Sequence, residues 1–314
     1  MKVLISEKIH PSGIEVLKKA GYEIITLSQR DQHELEEKIK DADALLVRIM
    51  DVTERMMESS PNLRIVSKHG VGMDNINMEA AKKHGIAVTC TLTANSQSVA
   101  EHTWAMIHAL ARNLVMSANM YKTIGFAAKA ECPLGSELYG KTLGIIGLGR
   151  IGKRVAKIGI NAYDMKVLAY DPYIRPKDAP AGVELVQGLE RIFRESDIVS
   201  LHCPANTETY HLVGEKEFNL MKPEARFINC ARGPIVDEPA LVRALEDKKI
   251  WAVGMDVTEQ EPYPVDGPLM HMPNVILTPH FGGSSVEAAT RVSTTAAQNI
   301  VDYFMNKDIE GRLV

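Results

Sequence analysis

Apolar residues in the first hundred positions fall into short runs that alternate with longer amphipathic stretches. Short runs rich in valine, isoleucine and leucine indicate buried strands, whereas charged stretches with helical spacing of apolar positions indicate helices. Strands that alternate with helices are typical of βαβ units and a parallel sheet. The predicted strands are Lys2–Ile5, Tyr22–Leu27, Ala44–Ile49, Leu63–Ser67 and Ile86–Thr89, and the predicted helices are Ser12–Ala20, Asp31–Lys40 and Met78–His84.

A second alternating pattern begins at Lys141, after one long helical stretch from about Ser98 to Lys122 and a loop. Two doubly wound α/β units explain the two patterns better than a single large sheet. A last helix, over Ser285–Met305, has no strand after it, and the pattern leaves open which unit it packs on. The strands predicted for the second unit are 143–147, 166–170, 197–201, 226–229, 252–255 and 275–277.

Composition agrees with two globular domains. The chain has 314 residues, which at about 150 residues per domain allows two. Hydrophobic residues make up 45% and charged residues 24%, close to the average for soluble proteins. No apolar run reaches the about 18 residues that span a bilayer, and a net charge of −4 argues against a nucleic-acid partner. We therefore expect neither membrane nor nucleic acid among its partners.

The four cysteines, Cys90, Cys132, Cys203 and Cys230, form no CxxC pair and no cysteine–histidine cluster, so no metal site is expected. The N-terminal segment has too little apolar length for a signal peptide and is predicted as the first strand. Reduced thiols and a cytoplasmic location are the simplest expectation.

The first strand of the second unit ends in a GxGxxG segment, Gly147–Gly152, which opens a helical pattern. In a dinucleotide-binding turn, Gly147 permits the tight turn, Gly149 lets the backbone approach the pyrophosphate, and Gly152 lets helix pack on strand. The next predicted strand ends in Asp171, nineteen residues past Gly152. The alternative is a glycine-rich turn that binds no ligand.

A carboxylate at Asp171 would accept hydrogen bonds from the adenosine ribose diol and repel a 2′-phosphate. The sequence therefore predicts NAD rather than NADP as the cofactor, although Arg175 lies four residues on and could weaken this preference.

Arg232, Glu261 and His280 follow three predicted strands, and α/β sheets bind ligands at the carboxyl ends of their strands. Arginine grips a carboxylate with two hydrogen bonds, and histidine exchanges a proton with a hydroxyl group. A neighbouring glutamate favours imidazolium and fixes the tautomer. Together the three residues could support hydride transfer to or from a 2-hydroxy acid.

Each of the three has a structural alternative. Arg232 could cap a helix or pair with Asp237, Glu261 could be solvated surface, and His280 could be a satisfied loop histidine.

The chain resembles the D-isomer-specific 2-hydroxyacid dehydrogenase family nearly end to end. The segments that carry the resemblance are Leu45–Arg48, Gly70–Ile76, Asn95–His102, Lys141–Gly152, Asn229–Gly233, Asp256–Pro262 and Thr278–Ser284. The resemblance implies that Arg232, Glu261 and His280 are catalytic and that Asp256 binds the nicotinamide carboxamide. The cofactor residues it implies are Gly147, Gly149, Arg150, Ile151, Gly152, Asp171, His202, Cys203, Pro204, Thr209, Cys230, Ala231, Arg232, Asp256, His280 and Gly282.

The resemblance also implies a discontinuous chain path. A flavodoxin-like substrate domain would comprise residues 1–97 and 285–314, and a Rossmann NAD domain would comprise residues 98–284 and much of a homodimer interface. Two residues depart from the family pattern. Phe126 stands where many members have a tryptophan that reaches the partner's active site, and Thr258 replaces a common phenylalanine.

The resemblance is strongest to 3-phosphoglycerate dehydrogenases, which carry arginine at the position of Arg48. The substrate residues it implies are Arg48, Lys68, His69, Gly70, Val71, Gly72, Asn95, Arg232 and His280. Two cations and a histidine at the far end of the substrate suit a second anion, although lysine lacks the two-pronged grip of arginine. As an alternative, Arg48 pairs with Asp74 or Asp51 as a structural bridge.

A phosphate is the first expectation at that end, and a sulfonate or a smaller hydroxypyruvate- or glyoxylate-like molecule stays open. We expect no C-terminal regulatory domain after Val314. The alternative of another class is a non-enzymatic, NAD-sensing binding protein of the same fold, which turnover of NADH with a 2-keto acid would exclude.

Overall fold

The computed structural model describes all 314 residues, and they form two compact units. Unit 1 comprises Met1–Asn95 and Ser284–Val314, and unit 2 comprises Ser96–Gly283. None of the helices has the length and apolar character that a transmembrane helix needs.

Unit 1 is built on a five-stranded parallel sheet with the order β2-β1-β3-β4-β5. This is the flavodoxin-like doubly wound order, as predicted. Its strands are β1 (Lys2–Ile5), β2 (Glu23–Thr26), β3 (Ala44–Val47), β4 (Ile65–Lys68) and β5 (Ala87–Thr89). Its helices are α1 (Pro11–Lys19), α2 (Gln32–Lys38), α3 (Glu54–Glu58), α4 (Met78–Lys83) and, from the end of the chain, α12 (Val286–Phe304).

The last helix packs on unit 1, which settles the question that the sequence pattern left open. Ala296, Ala297 and Ile300 of α12 join a buried cluster with β1, and the Ser67 hydroxyl on β4 donates to the Ala296 carbonyl oxygen at 2.8 Å. The opposite sheet face is covered by α2, α3 and α4, whose apolar residues include Leu35. Both faces of the central strands are buried, and β3 is apolar throughout, as expected of a parallel sheet, whereas the edge strand β2 stays partly exposed.

Unit 2 is built on a seven-stranded parallel sheet with the order β12-β11-β10-β9-β6-β7-β8. This is the Rossmann arrangement, again as predicted. Its strands are β6 (Thr142–Ile146), β7 (Lys166–Tyr170), β8 (Val183–Leu185), β9 (Ile198–Leu201), β10 (Arg226–Asn229), β11 (Ala252–Met255) and β12 (Val275–Leu277). Its helices are α5 (Ser96–Ala111), α6 (Leu114–Ile124), α7 (Ala128–Glu131), α8 (Arg150–Tyr163), α9 (Leu189–Glu195), α10 (Glu215–Leu220) and α11 (Glu238–Glu246).

The long helical stretch predicted from about Ser98 to Lys122 is helical, but the structure divides it into two helices, α5 and α6. Asn113 lies between α5 and α6 in the left-handed conformation, with φ of 49°. Its side-chain amide donates to the Pro133 carbonyl oxygen at 2.9 Å. A left-handed residue cannot continue a right-handed helix, and asparagine tolerates that conformation better than most residues.

Candidate active site

The glycine-rich turn after β6 has the backbone shape that the sequence predicts. Gly147 has φ of 93°, and a Cβ there would lie 2.5 Å from the backbone nitrogen of Cys203. A Cβ on Gly152 would overlap the Gly147 carbonyl oxygen, so α8 packs directly on the turn. At Gly149, the N-cap of α8, a Cβ would meet nothing within 4 Å, and no side chain caps the helix. The first turn of α8 begins with Arg150, which is exposed, and Ile151, which is half-buried. The backbone N–H groups of this turn are therefore available to a pyrophosphate.

The carboxylate of Asp171 is fixed beside this turn. It accepts hydrogen bonds from the Leu148 N–H at 2.8 Å and from the Tyr173 N–H at 2.9 Å, one on each oxygen. Each oxygen keeps a further lone pair for a ribose hydroxyl. Arg175 forms an ion pair with Asp178 at 2.7 Å, so its charge is directed to a local partner.

The loop after β9 completes this edge of the sheet. The His202 ring bonds the Ser200 hydroxyl through Nε2 at 2.9 Å, whereas its buried Nδ1 has no partner in the protein. Burial lowers the pKa of His202 to about 3, so its imidazole is neutral. The Thr209 hydroxyl donates to the Pro204 carbonyl oxygen at 2.7 Å and shapes the rest of the loop. The open helix terminus, the fixed carboxylate and the unpartnered nitrogen fit a dinucleotide.

Asn229, buried at the end of β10, holds the segment that carries Arg232. Its side chain accepts the Ala231 N–H at 3.0 Å and donates to the Arg232 carbonyl oxygen at 2.9 Å. A Cβ on Gly233 would overlap the Thr258 carbonyl, so the loops after β10 and β11 touch through their backbones. The backbone of the Arg232 loop is therefore braced on both sides, and the Arg232 guanidinium donates through Nη1 to the Ala231 carbonyl oxygen at 2.7 Å.

His280 and Glu261 form a hydrogen-bonded pair. His280 Nδ1 lies 2.9 Å from Glu261 Oε2, and the other Glu261 oxygen accepts the Thr258 N–H at 3.3 Å. The side chains are 51% and 42% exposed, so a substrate can reach them. Because Nδ1 is directed to the carboxylate, Nε2 is the ring nitrogen left for proton exchange.

Asp256, at the end of β11, shapes the turn that carries the histidine. His280 adopts φ of 53°, and its N–H donates to the Asp256 carbonyl oxygen at 2.8 Å. The Asp256 carboxylate accepts the Phe281 N–H at 2.7 Å and the Gly282 N–H at 2.8 Å. A Cβ on Gly282 would lie 2.9 Å from that carboxylate, so glycine is needed for this approach.

The predicted substrate residues Arg48 and Lys68 lie at the ends of neighbouring strands in unit 1. Arg48 directly follows β3, and Lys68 is the last residue of β4. Arg48 is exposed, and its Nη1 donates to the Lys8 carbonyl oxygen at 3.0 Å. Lys68 is only 7% exposed, and its ammonium group donates to the Arg48 carbonyl oxygen and to the Asn75 side-chain oxygen. The arginine charge is thus at the surface, whereas the lysine charge is directed into the loop.

The other predicted substrate residues of unit 1 lie in two places. His69, Gly70, Val71 and Gly72 are in the loop after β4, and Asn95 ends the segment Met1–Asn95. His69 Nε2 lies 2.8 Å from the Ser293 hydroxyl on α12. Burial, with the nearby Arg48 charge adding to it, lowers the pKa of His69 to about 4, so this imidazole is neutral at pH 7. Gly70, Val71 and Gly72 are half-buried to exposed, and Asn95 is the last residue before unit 2.

Comparison with known proteins decides the family. The model for the NAD binding domain of D-isomer specific 2-hydroxyacid dehydrogenases matches residues 104–282. The glyoxylate reductase of Thermococcus litoralis is 37% identical over 327 residues, which cover 98% of this chain and 97% of that protein. The chain belongs to the D-isomer specific 2-hydroxyacid dehydrogenases.

One further relative and one solved structure are similar to this chain. The D-3-phosphoglycerate dehydrogenase of Methanocaldococcus jannaschii is 42% identical over 302 residues, covering 96% of this chain. The chain spans 57% of the length of that protein. The crystal structure of the TT0316 protein from Thermus thermophilus superposes with a TM-score of 0.92 at 31% identity, covering 100% of both chains.

Sequence reasoning did not single out His102, which the structure places beside Asp256. His102 Nε2, on α5, lies 3.3 Å from the Asp256 carboxylate and 3.1 Å from the Thr278 hydroxyl, which itself donates to Asp256 at 2.5 Å. Burial raises the pKa of the Asp256 carboxyl, but hydrogen bonds from His102, Thr278 and the following backbone outweigh it and hold that pKa below its usual range. No spacing in the sequence joins residues this far apart.

The two cysteines predicted near the cofactor are protonated thiols. Burial raises the pKa of Cys203 to about 11 and that of Cys230 to about 12. Cys230 packs against the Met106 sulfur at 3.7 Å. Thiolate, not thiol, is the nucleophile, so these side chains contribute shape and not covalent chemistry.

Proposed function

We propose that this protein interconverts a D-2-hydroxy acid and its 2-keto acid, with NAD as the hydride carrier. The observation that carries the proposal is the His280–Glu261 pair at 2.9 Å. The loop that carries Arg232 contacts, through Gly233 and Thr258, the loop that carries Glu261. These loops follow β10, β11 and β12, in the sheet whose β6 ends in the glycine-rich turn.

The mechanism assigns one role to each side chain. Arg232 binds the substrate carboxylate through its planar guanidinium. The nicotinamide, when bound, supplies or accepts the hydride at the substrate C2 carbon. During reduction, protonated His280 gives the Nε2 proton to the carbonyl oxygen, and during oxidation neutral His280 takes the proton from the hydroxyl group. Glu261 stabilises the imidazolium and keeps Nδ1 protonated.

The preference for NAD over NADP rests on Asp171. Its carboxylate is held in place by two backbone N–H groups, so it cannot easily turn away from a 2′-phosphate. A like-charge contact there is costly. Asp171 and the open terminus of α8 are accordingly proposed as the residues that hold the adenosine ribose and the pyrophosphate.

For the substrate we propose a 3-phosphoglycerate-like hydroxy acid, because Arg48 is an exposed cation at the carboxyl edge of the unit 1 sheet. A second candidate is a glyoxylate or hydroxypyruvate reductase. The observation that favours it is the engagement of Lys68 and His69 with other protein groups, which leaves fewer charges for a distant phosphate.

The test is a comparison of kcat/KM for 3-phosphohydroxypyruvate, hydroxypyruvate and glyoxylate, each with NADH and NADPH. Preference for the phosphorylated acid supports the first candidate, and preference for the smaller acids supports the second. Binding of NADH without turnover of any keto acid would refute both and support a non-enzymatic role.

We also propose a homodimer formed through α6 and the segment after it. No residue of the eleven in α6 is buried, and the segment exposes apolar side chains such as Tyr121 at 60%, Phe126 at 74% and Leu134 at 95%. Tyr121 and Phe126 line a groove of about 570 Å³. Apolar patches of this kind are covered in stable proteins, and a second copy is the occupant we propose. Sedimentation of wild type and Phe126→Ser tests it, with a monomeric wild type as the refuting result.

A reducing, cytoplasmic location is proposed on the ground that Cys90, Cys132, Cys203 and Cys230 are all free thiols.

A further inference from the structure

Glu7 lies just after β1, and its carboxylate binds the backbone of the loop after β3. Its carboxylate accepts the N–H groups of Arg48 at 2.9 Å, Ile49 at 2.7 Å and Met50 at 2.9 Å. The Ser6 hydroxyl also donates to it. Burial raises the pKa of Glu7, but these four hydrogen bonds outweigh it and keep that pKa below its usual range. The carboxylate is therefore charged at neutral pH.

The same loop is held from its carbonyl side. The Lys68 ammonium group donates to the Arg48 carbonyl oxygen and to the Asn75 side-chain oxygen. The Asn75 amide donates to the Met50 carbonyl oxygen at 2.6 Å. Glu7 accepts from the loop's donors while Lys68 and Asn75 donate to its acceptors, so residues 48–50 are fixed on both sides.

The sheet register explains why these residues meet. Ile5 on β1 pairs with Leu46 on β3, and Val47 on β3 pairs with Lys68 on β4. Two residues beyond the first pair, Glu7 comes opposite Arg48. This is the carboxyl edge of a doubly wound sheet, where ligands bind.

We propose that Glu7 is a positioning residue that orders residues 48–50, so that the Arg48 guanidinium meets the far end of the substrate. Glu7, Lys68 and Asn75 together form a clamp on residues 48–50, and Lys68 belongs to this clamp instead of binding the substrate. The proposal deepens the proposed function and rests on it. Of the two predicted substrate cations, Arg48 and Lys68, only Arg48 then contacts an anion at the far end of the substrate.

The clamp is tested without catalysis by amide hydrogen exchange. Glu7→Gln keeps the shape but replaces a charged acceptor with a neutral amide, so the amides of residues 48–50 should exchange about tenfold faster. Lys68→Met, which keeps the apolar stem, should also speed their exchange. Glu15→Gln, an exposed glutamate on α1, is the matched control and should change nothing. If Glu7→Gln fails to fold, Glu7→Asp keeps the charge with less reach and should show the same faster exchange.

Kinetics then separate positioning from general destabilisation. Glu7→Gln should raise KM about tenfold for a keto acid with a distal phosphate, while kcat, the KM for NADH and the KM for glyoxylate stay near wild type. Unchanged exchange at residues 48–50 in Glu7→Gln would overturn the proposal. So would a Lys68→Met variant that loses affinity for the phosphorylated acid while exchange stays slow, because Lys68 would then bind substrate. A wild type that reduces no keto acid would refute the proposed function instead, and the exchange rates would still decide the clamp.

Discussion

Replacing Glu261 with glutamine should shift the pH dependence of turnover in a defined direction. The glutamine oxygen can still accept the bond from His280 Nδ1, so the change removes the negative charge at 2.9 Å and little else. Unit charges about 4 Å apart interact by about 1 kcal/mol in water and by about 4 kcal/mol near a protein surface. With the two side chains 51% and 42% exposed, solvent screens the pair and the lower figure applies, so the glutamine variant loses about 1 kcal/mol of stabilisation of the imidazolium.

The sign follows from which form of the imidazole reacts. Reduction needs imidazolium, so its rate falls as pH rises, and losing the carboxylate moves this falling limb to lower pH. Oxidation needs neutral imidazole, so its rising limb moves to lower pH as well. The assay is a pair of kcat/KM profiles against pH, one for each direction, for wild type and Glu261→Gln.

The chain supplies a matched control for this experiment. Glu259 lies in the same loop, but its partner is His211, at 2.8 Å, and these two side chains are 31% and 32% exposed. Glu259→Gln removes the same charge from the loop and should leave the limbs nearly in place. A Glu261→Gln profile that does not move, or that moves to higher pH, would refute the assignment of Glu261 as the partner of the reacting histidine.

Three further predictions follow from the same sheet edge. Arg232→Lys keeps the charge but loses the planar guanidinium with its two parallel N–H donors, so kcat/KM should fall by at least about 10²-fold while NADH binding, measured by fluorescence, is nearly unchanged. Full activity of this variant would remove Arg232 from the site. Asp171→Ala should narrow the ratio of kcat/KM for NAD over NADP, and equal use of both by the wild type would contradict the role of Asp171. The pKa of Asp256 is lowered by folding, so its stabilisation is complete above the unfolded value near 3.8 and is lost as pH falls through the folded value. Urea titrations should therefore give an Asp256→Asn deficit in the free energy of unfolding that shrinks below about pH 4, and a deficit that is constant with pH would be inconsistent with this.

The sequence predicted the fold well because both sheets are parallel and their inner strands are buried on both faces. Each strand is then a short apolar run whose place in the chain is visible without a partner. Two of the elements that it missed are short. The strand Val183–Leu185 is a three-residue edge strand that is half-exposed, and the helix Glu54–Glu58 has five residues. The break at Asn113 was missed because α5 and α6 are both helical and only one residue's conformation separates their patterns.

The candidate site residues that the sequence predicts are those that lie in local motifs. Arg232, Glu261 and His280 each follow a strand, so chain position alone suggests that they converge. Glu7 and His102 have no such signal, because their partners lie 41 or more residues away in Arg48 and Asp256. Whether Lys68 directs its charge outward or into the protein depends on where Asn75 lies, and a sequence pattern does not contain that information.

The discontinuous path of unit 1 has a consequence for how the protein is made. The first 95 residues leave the ribosome before α12, and one face of their sheet has no cover until that helix packs there, with Ser67 donating to Ala296. Unit 2 is encoded by one continuous segment and has its own core, so it is complete before unit 1 is. During synthesis the unit that starts second is therefore expected to fold first, and the apolar sheet face of the N-terminal segment is exposed to chaperones and to aggregation for the whole time that the ribosome spends on the inserted unit.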